Sequence, residues 1–312
     1  MAIASPAEVK VLVSDSIADA GIEMMRQAGM EVDVETGLAP EKLERIIGGY
    51  DALVVRSATK VRQSMIEAGK NLKLIVRAGV GLDNIDVEYA KSQGVEVMNT
   101  PAASSNAVAE LTIGYLLALA RRLPQTTASM RAGKWEKKKF SGSEVAGKTL
   151  GLLGYGRIGW LVARKSLALG MDVIAYDPYV ADPRGLEMEF VSLGELLQRA
   201  DYISMHLPLT GETRNLIAGP QFEMMKDGAR IINCARGGTI NEEALYEAIV
   251  SGRVAGAALD VYFREPAQDN RLFELDEVIG SPHIGAATVE AQHRVSVEVA
   301  EKVIEFQKRL GR

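Results

Sequence analysis

Cysteine is nearly absent from this chain: Cys234 is the single one in 312 residues. No intrachain disulfide can staple the fold, and a reducing compartment such as the cytoplasm is the expected setting. Histidine is scarce too, with three residues, so proton transfer near neutral pH has few candidates. Strong charge of one sign is lacking. The 36 basic and 41 acidic side chains leave a net −5, which argues against electrostatic binding of nucleic acid. No apolar run is long enough for a membrane span. The nearest, residues 107–120, is too short, carries Glu110 and runs into Arg121 and Arg122, so it reads as a buried helix. Residues 1–10 lack the basic segment, apolar core and cleavage site of a secretory leader. Internal repeats and low-complexity tracts are missing as well.

What is present is an alternation of short apolar runs with amphipathic stretches, the pattern of parallel sheets covered by helices. The length suits two domains, and 47% apolar with 25% charged residues is an ordinary globular composition. The runs predict strands over 9–13, 31–34, 52–55, 72–76 and 95–98, with helices over 19–28 and 40–47 between them. After Thr100-Pro101 a long helical stretch is interrupted near Pro124, which cannot continue a helical hydrogen-bond ladder. A basic, glycine-bearing loop follows over 133–148. Further strands are expected at 149–153, 171–176, 202–205, 230–234, 257–261 and 278–280, with a helix over 242–251. A final helix over 288–310 is expected to return to the first domain. The expected fold is α/β, with two doubly wound parallel-sheet domains. One is a Rossmann nucleotide domain over 101–286. The other is a discontinuous, flavodoxin-like substrate domain made of 1–100 and 287–312.

The most specific local signal is Gly154-Tyr155-Gly156-Arg157-Ile158-Gly159, set between an expected strand and an expected helix. Gly154 permits the tight turn, Gly156 lets backbone approach a pyrophosphate, and Gly159 lets the helix pack closely on the strand. Amides at the helix start suit phosphate. Asp177 closes the next strand, where a carboxylate accepts hydrogen bonds from the adenosine ribose. That favours NAD over NADP, whose extra phosphate would meet a like charge. Glycine-rich turns are often only turns, but here strand, helix, strand and acid are in register.

A nicotinamide site needs a proton acceptor beside the hydride donor. His293 falls within the last helix and reads as a solvated position. His206 follows a strand and precedes Pro208, so it lines a crevice or ends a strand structurally. His283 follows Ser281-Pro282 at another strand end, the edge where open α/β sheets bind ligands. A carboxylate would fix its tautomer, and Glu265 in Arg264-Glu265-Pro266 is the candidate, against the plainer reading of a solvated loop acid. Arg236, flanked by Gly237-Gly238, suits two-point binding of a substrate carboxylate. It reads equally as a surface or helix-capping arginine, and the residues alone leave these alternatives open.

Four stretches resemble the D-isomer-specific 2-hydroxyacid dehydrogenases: Arg77-Ala78-Gly79-Val80-Gly81-Leu82-Asp83-Asn84, Asn99-Thr100-Pro101, Asn233-Cys234-Ala235-Arg236-Gly237-Gly238 and Ser281-Pro282-His283-Ile284-Gly285. They occur in the family's order and spacing, and the likeness covers essentially the whole chain. The resemblance implies a catalytic Arg236, Glu265 and His283 and an NAD cofactor. It implies cofactor contacts from Val80, the 154–159 turn (Gly154, Tyr155, Gly156, Arg157, Ile158, Gly159), Asp177 and His206. Leu207 and Pro208 lie along the crevice wall, and Cys234, Ala235, Arg236, Asp260, His283, Gly285 and Ala286 complete the set. Within the family it is nearest to the branch that oxidises D-3-phosphoglycerate to 3-phosphohydroxypyruvate, the entry to serine synthesis. Gly133-Lys134-Trp135-Glu136-Lys137-Lys138-Lys139-Phe140 and Val55-Arg56-Ser57-Ala58-Thr59-Lys60 carry that likeness.

Substrate contacts are then expected from Arg56, Ser57, Arg77, Ala78, Gly79 and Lys137, with no metal, no membrane and no nucleic acid. A homodimer is expected, in which the basic loop reaches a neighbouring subunit. Arg77 also reads as a cation ending a strand, and the lysine loop as a solvated one. Lys137 stands where some relatives have arginine, so its phosphate contact would be a point charge. The sequence stops at Arg312, short of the serine-sensing domains of many such enzymes, so insensitivity to L-serine is expected. The alternatives are a glyoxylate or hydroxypyruvate reductase and, more remotely, an NAD-sensing co-repressor that recruits peptides.

Overall fold

The computed structural model describes residues 9–311, which divide into two compact units: 9–104 with 286–311, and 105–285. The reading that no leader is present falls, up to Glu8, outside the described residues.

In the first unit, strands β1 (Lys10–Val13), β2 (Glu31–Val34), β3 (Ala52–Val55), β4 (Leu74–Arg77) and β5 (Glu96–Asn99) form a parallel sheet in the order β2-β1-β3-β4-β5. That is the flavodoxin-like order. Alternation along the strands divides the core into two faces. Val11, Val13, Val54, Leu74 and Val76 pack against Val295, Val299, Val303 and Phe306 of the last helix, Val289–Arg309. On the opposite face, Leu12, Leu53, Val55 and Ile75 meet Leu43, Ile47, Met65 and Ala90. Each fully buried aliphatic side chain contributes about 1.5–3 kcal/mol, so the final helix is integral to this unit.

The second unit carries β6 (Thr149–Leu153), β7 (Asp172–Tyr176), β8 (Glu189–Phe190), β9 (Tyr202–Met205), β10 (Ala229–Asn233), β11 (Val254–Leu259) and β12 (Val278–Gly280). Their order is β12-β11-β10-β9-β6-β7-β8, again all parallel. β6 pairs with β7 on one side and β9 on the other. The chain reverses its direction of winding there, and that switch point opens a crevice at the carboxyl ends of the strands.

The long helical stretch is interrupted near Pro124 as expected, with the break itself at Arg122. Ser105–Arg121 ends, Arg122 takes a left-handed conformation with φ 52°, and Leu123–Arg131 begins with Pro124 in its first turn. A proline costs nothing there, because first-turn amides have no partner within the helix. The basic loop contains a short 3-10 turn, Lys137–Lys139. β8 and the short helices Gln63–Ala68, Val87–Ser92, Leu193–Arg199 and Gly219–Met224 were not foreseen. At two to seven residues each, they are too short to show periodicity. Among the described residues no helix is long and apolar enough to cross a membrane.

Candidate active site

Six of the residues singled out in the second unit stand at the carboxyl ends of its strands. Gly154 follows β6, Asp177 β7, His206 β9, Cys234 β10, Asp260 β11 and Ser281 β12. Parallel pairing alone brings these sequence-distant residues to one edge of the sheet.

The glycine turn is built as its spacing implies. Gly154 has φ 96°, and a Cβ there would lie 2.7 Å from the carbonyl oxygen of His206. A Cβ on Gly159 would lie 2.4 Å from the Gly154 oxygen, so the helix Arg157–Ala168 starts in contact with the end of β6. At its N-cap, Gly156, a Cβ would meet no heavy atom within 4 Å, and no side chain caps the helix. The first-turn amides therefore remain for an anion of pyrophosphate type. Tyr155 contributes structure: its ring is buried edge-on against Phe190, and its hydroxyl donates to the Pro183 carbonyl.

Asp177 accepts the Tyr155 amide at 2.8 Å on one oxygen and the amides of Tyr179 and Val180 at 2.9 and 3.2 Å on the other. It thereby ties the glycine turn to the end of β7. A carboxylate has about four acceptor sites, which leaves room for ribose hydroxyls. Asp177→Ala should cut the preference for NAD over NADP in kcat/KM by about tenfold or more, because the charge that opposes the 2′-phosphate is gone. Equal efficiency with both cofactors in the unmodified protein would contradict the assignment.

His206 holds a hydrogen bond between its Nε2 and Ser204 Oγ at 2.9 Å, while its Nδ1 is buried without a partner. Burial pushes its pKa down to about 3. An unfolded imidazole titrates near 6.5, so between those values the unfolded chain binds the extra proton. Stability is therefore lost as pH falls from about 6.5 toward 3, by up to about 1.4 kcal/mol per pH unit. His206→Gln should remove up to about 2 kcal/mol of the stability lost between pH 6.5 and pH 5, read by urea unfolding. An identical pH dependence in both proteins would mean the imidazole is not held neutral.

His283 and Glu265 meet: Nδ1 lies 2.8 Å from Oε2. Glu265 Oε1 also accepts the Tyr262 amide at 3.1 Å. Burial tends to raise the Glu265 carboxyl, but the His283 hydrogen bond and charge, the Tyr262 amide and the Arg236 charge together hold it below the usual carboxylate range. His283 itself sits in the left-handed region at φ 54°, unusual for a non-glycine residue. Asp260, 1% exposed, is what holds it there. Its carboxylate accepts the amides of Ile284 and Gly285, both at 2.7 Å, and the Ser281 hydroxyl. Tyr115 donates to Ser281 in turn.

Arg236 lies in a turn fixed by Asn233, whose Nδ2 donates to the Arg236 carbonyl at 3.0 Å. Cys234 is buried, which pushes its thiol up to about 12 and leaves it an inert wall residue. Ala235, Leu207 and Pro208 follow the ends of β10 and β9. His293 is exposed on the last helix, and Lys137 is exposed on the 3-10 turn. The supporting roles of Ser204, Tyr115 and Tyr262 were not foreseen from the sequence, since a hydroxyl in a strand or helix carries no local signal of its distant partner.

The first unit has its own ordered strand-end loop. Asp15 accepts the amides of Arg56 and Thr59 at 2.6 and 3.1 Å, and Asn84 Nδ2 donates to both of their carbonyls at 2.7 Å. Ser57 is exposed at its tip. Arg77 ends β4, followed by Ala78, Gly79 and Val80, and the Val80 carbonyl is held by Asn99 at 2.5 Å. Ala286 also belongs to this unit.

A crevice built for a dinucleotide, with an imidazole–carboxylate pair and an arginine at the same sheet edge, defines a nicotinamide-dependent dehydrogenase. Residues 113–285 match the family described as D-isomer specific 2-hydroxyacid dehydrogenase, NAD binding domain. The chain belongs to this family, whose cofactor is NAD. It is 51% identical over 302 residues to a hydroxypyruvate reductase of Thermotoga maritima, covering 95% of this chain and 98% of that one. It is 50% identical over 299 residues to a D-3-phosphoglycerate dehydrogenase of Methanocaldococcus jannaschii, covering 95% of this chain but 57% of the relative. The chain thus spans little more than half the length of that relative. A solved D-lactate dehydrogenase of Aquifex aeolicus, complexed with NAD and lactic acid, superimposes with a TM-score of 0.87 at 30% identity, covering 96% and 95% of the two chains.

Proposed function

We propose that the chain oxidises D-3-phosphoglycerate to 3-phosphohydroxypyruvate with NAD. NAD, when bound, accepts the hydride from C2. Arg236 holds the substrate carboxylate in a two-point contact, and neutral His283 takes the C2 hydroxyl proton through its Nε2. Glu265 fixes the tautomer and stabilises the imidazolium that results. The observation that carries the acid–base part is the His283–Glu265 hydrogen bond of 2.8 Å. The choice of a phosphorylated substrate rests on two cations, Lys137 on its exposed turn and Arg56 on its braced loop, where the guanidinium donates to the Ser16 carbonyl at 3.4 Å and keeps further donors. The reading includes a cytoplasmic homodimer joined through the second unit. It is supported there by exposed apolar side chains flanking Lys137, with Trp135 81% and Met130 54% accessible.

A second reading has an observation in its favour: the relative matched over 98% of its own length is named a hydroxypyruvate reductase. Assays of D-3-phosphoglycerate with NAD, against hydroxypyruvate and glyoxylate with NADH, decide between them. The first reading expects kcat/KM for phosphorylated substrates to be at least about tenfold higher, and Lys137→Glu to erase that margin through KM. Equal or better rates with unphosphorylated acids, unchanged by Lys137→Glu, would establish the second. If Lys137 serves a neighbouring subunit and Lys137→Glu is itself severely impaired, mixing that variant with His283→Ala should restore activity, because each heterodimer then has one intact site.

A further inference from the structure

The loop between β11 and β12 carries Glu265, and a second carboxylate outside the proposed machinery holds that loop at two points on either side of Glu265. Glu242, the first residue of helix Glu242–Val250, accepts the Phe263 amide on Oε1 at 2.6 Å and the Asn270 Nδ2 on Oε2 at 2.9 Å. Asn270 in turn caps the 3-10 turn Arg271–Glu274 through the Leu272 amide at 3.0 Å. Residues 263 and 270 are thus fastened to one side chain, with Arg264, Glu265 and Pro266 between them.

The Tyr262–Phe263 segment is where three parts of the site converge. Tyr262 gives its amide to Glu265, and Phe263, the next residue, gives its own to Glu242. From the other side Gly237, adjacent to Arg236, packs so tightly on this peptide that a Cβ would fall 1.8 Å from the Tyr262 carbonyl oxygen. A shift of this segment therefore moves the carboxylate partner of His283 and the arginine turn together. Glu242 shares the role of a first-turn acid with its neighbour Glu243, whose side chain pairs with Arg271 at 2.6 Å, but the bonds to Phe263 and Asn270 are made by Glu242.

We propose that Glu242 is a positioning residue: by clasping Phe263 and Asn270 it sets the separation of Glu265 from His283 and so the protonation behaviour of the base. The proposal rests on the pairing role assigned to those two residues. The titratable and charged groups facing the pair are Arg236, whose charge acts on Glu265, Tyr262, whose amide Glu265 accepts, and Asp260, which holds the Ile284 and Gly285 amides beside His283; Glu242 bonds the next residue, Phe263. A direct effect of Glu242's charge has to be separated from its effect as a clasp.

With three histidines in the chain, NMR titration of labelled imidazoles reads His283 directly, without substrate or cofactor. Glu265→Gln should lower the His283 midpoint, because the carboxylate that favours the imidazolium is gone. Glu242→Ala should lower it by at least about half as much while leaving His206 and His293 unmoved. Glu242→Gln, which loses the charge but keeps an acceptor for the Phe263 amide, should retain most of the unmodified midpoint, and Glu243→Ala all of it. Equal shifts in Glu242→Ala and Glu242→Gln would overturn the proposal in favour of simple charge removal. No shift in Glu242→Ala, with Glu265→Gln shifted, would overturn it while sparing the pair. No shift in Glu265→Gln would remove the pair and the proposal with it. If Glu242→Ala does not fold, Glu242→Asp, which keeps the charge but is too short to span Phe263 and Asn270 together, takes its place: a lowered His283 midpoint supports the clasp, and an unchanged one overturns it.

Discussion

Replacing His283 by Asn should lower kcat by about 10³-fold, within the range that general acid–base catalysis contributes, while the affinity for NAD stays within about twofold. Asparagine can still donate to Glu265 from roughly the position of Nδ1, so the loop keeps its partner, but nothing remains to accept the substrate proton. His206→Asn should cost less than about tenfold. That imidazole is held neutral by burial, its Nε2 is engaged by Ser204, and its unpartnered Nδ1 is itself buried, so taking up a proton there is costly. Stopped-flow turnover together with NAD titration by fluorescence separates the two effects. If His206→Asn proves the more damaging, the base has been assigned to the wrong strand end. Glu265→Gln belongs to the same series, and the lower apparent pKa in its kcat/KM profile should follow from losing the charge that favours imidazolium.

Gly237→Ala should be nearly as damaging although it removes no functional group. The added carbon would lie 1.8 Å from the Tyr262 oxygen, 2.1 Å from its carbonyl carbon and 2.7 Å from the Phe263 nitrogen. All three are backbone atoms, so no side chain can swing aside and one of two loops must move. A displacement of about 1 Å at a reacting centre costs about 10²-fold, and both Arg236 and Glu265 are tied to this contact. The expected loss in kcat/KM is therefore about 10²-fold or more. Overpacking of this kind also destabilises by about 1–3 kcal/mol, or a fall in Tm of about 2–4 °C per kcal/mol for a unit of this size. Gly219→Ala is the control, since nothing lies within 4 Å of its Cβ position. It should change neither activity nor Tm. A Gly237→Ala protein with unaltered kcat/KM would show that the two loops move independently.

Much of this architecture was readable residue by residue. The strands at Glu31–Val34, Ala52–Val55, Thr149–Leu153, Tyr202–Met205 and Val278–Gly280 fall where apolar runs bounded by turn residues had them, and most others differ by one or two positions at an end. β11 was the poorest, beginning at Val254 rather than 257, because Ala and Gly carry little strand preference. The helix break expected near Pro124 falls at Arg122, because proline announces that a helix cannot pass through it, yet it is welcome in a first turn. The glycine turn was legible because its constraints are local. A turn, a close approach and a helix start all lie within six residues of one another.

The supporting residues were not legible, and their physics explains why. Asp260 was expected, by resemblance, to line the cofactor, and only the fold reveals that it is buried beneath the 281–285 turn with three donors on its carboxylate. Glu242 reads as a helix-start acid, and Gly237 as half of a flexible pair. The sequence by itself determined the strand and helix alternation, the dinucleotide turn, the acid at the end of the next strand, and the short list of groups able to move a proton or hold a carboxylate. Those follow from backbone geometry and side-chain chemistry acting over a few residues. Only the tertiary structure decided that Glu265 meets His283, that Asp260 holds that histidine in a left-handed turn, and that Gly237 and Glu242 converge on the Tyr262–Phe263 peptide. Such contacts join residues 18 to 28 positions apart, and their distances are set by the pairing of parallel strands and the packing of the loops between them, which no local pattern encodes.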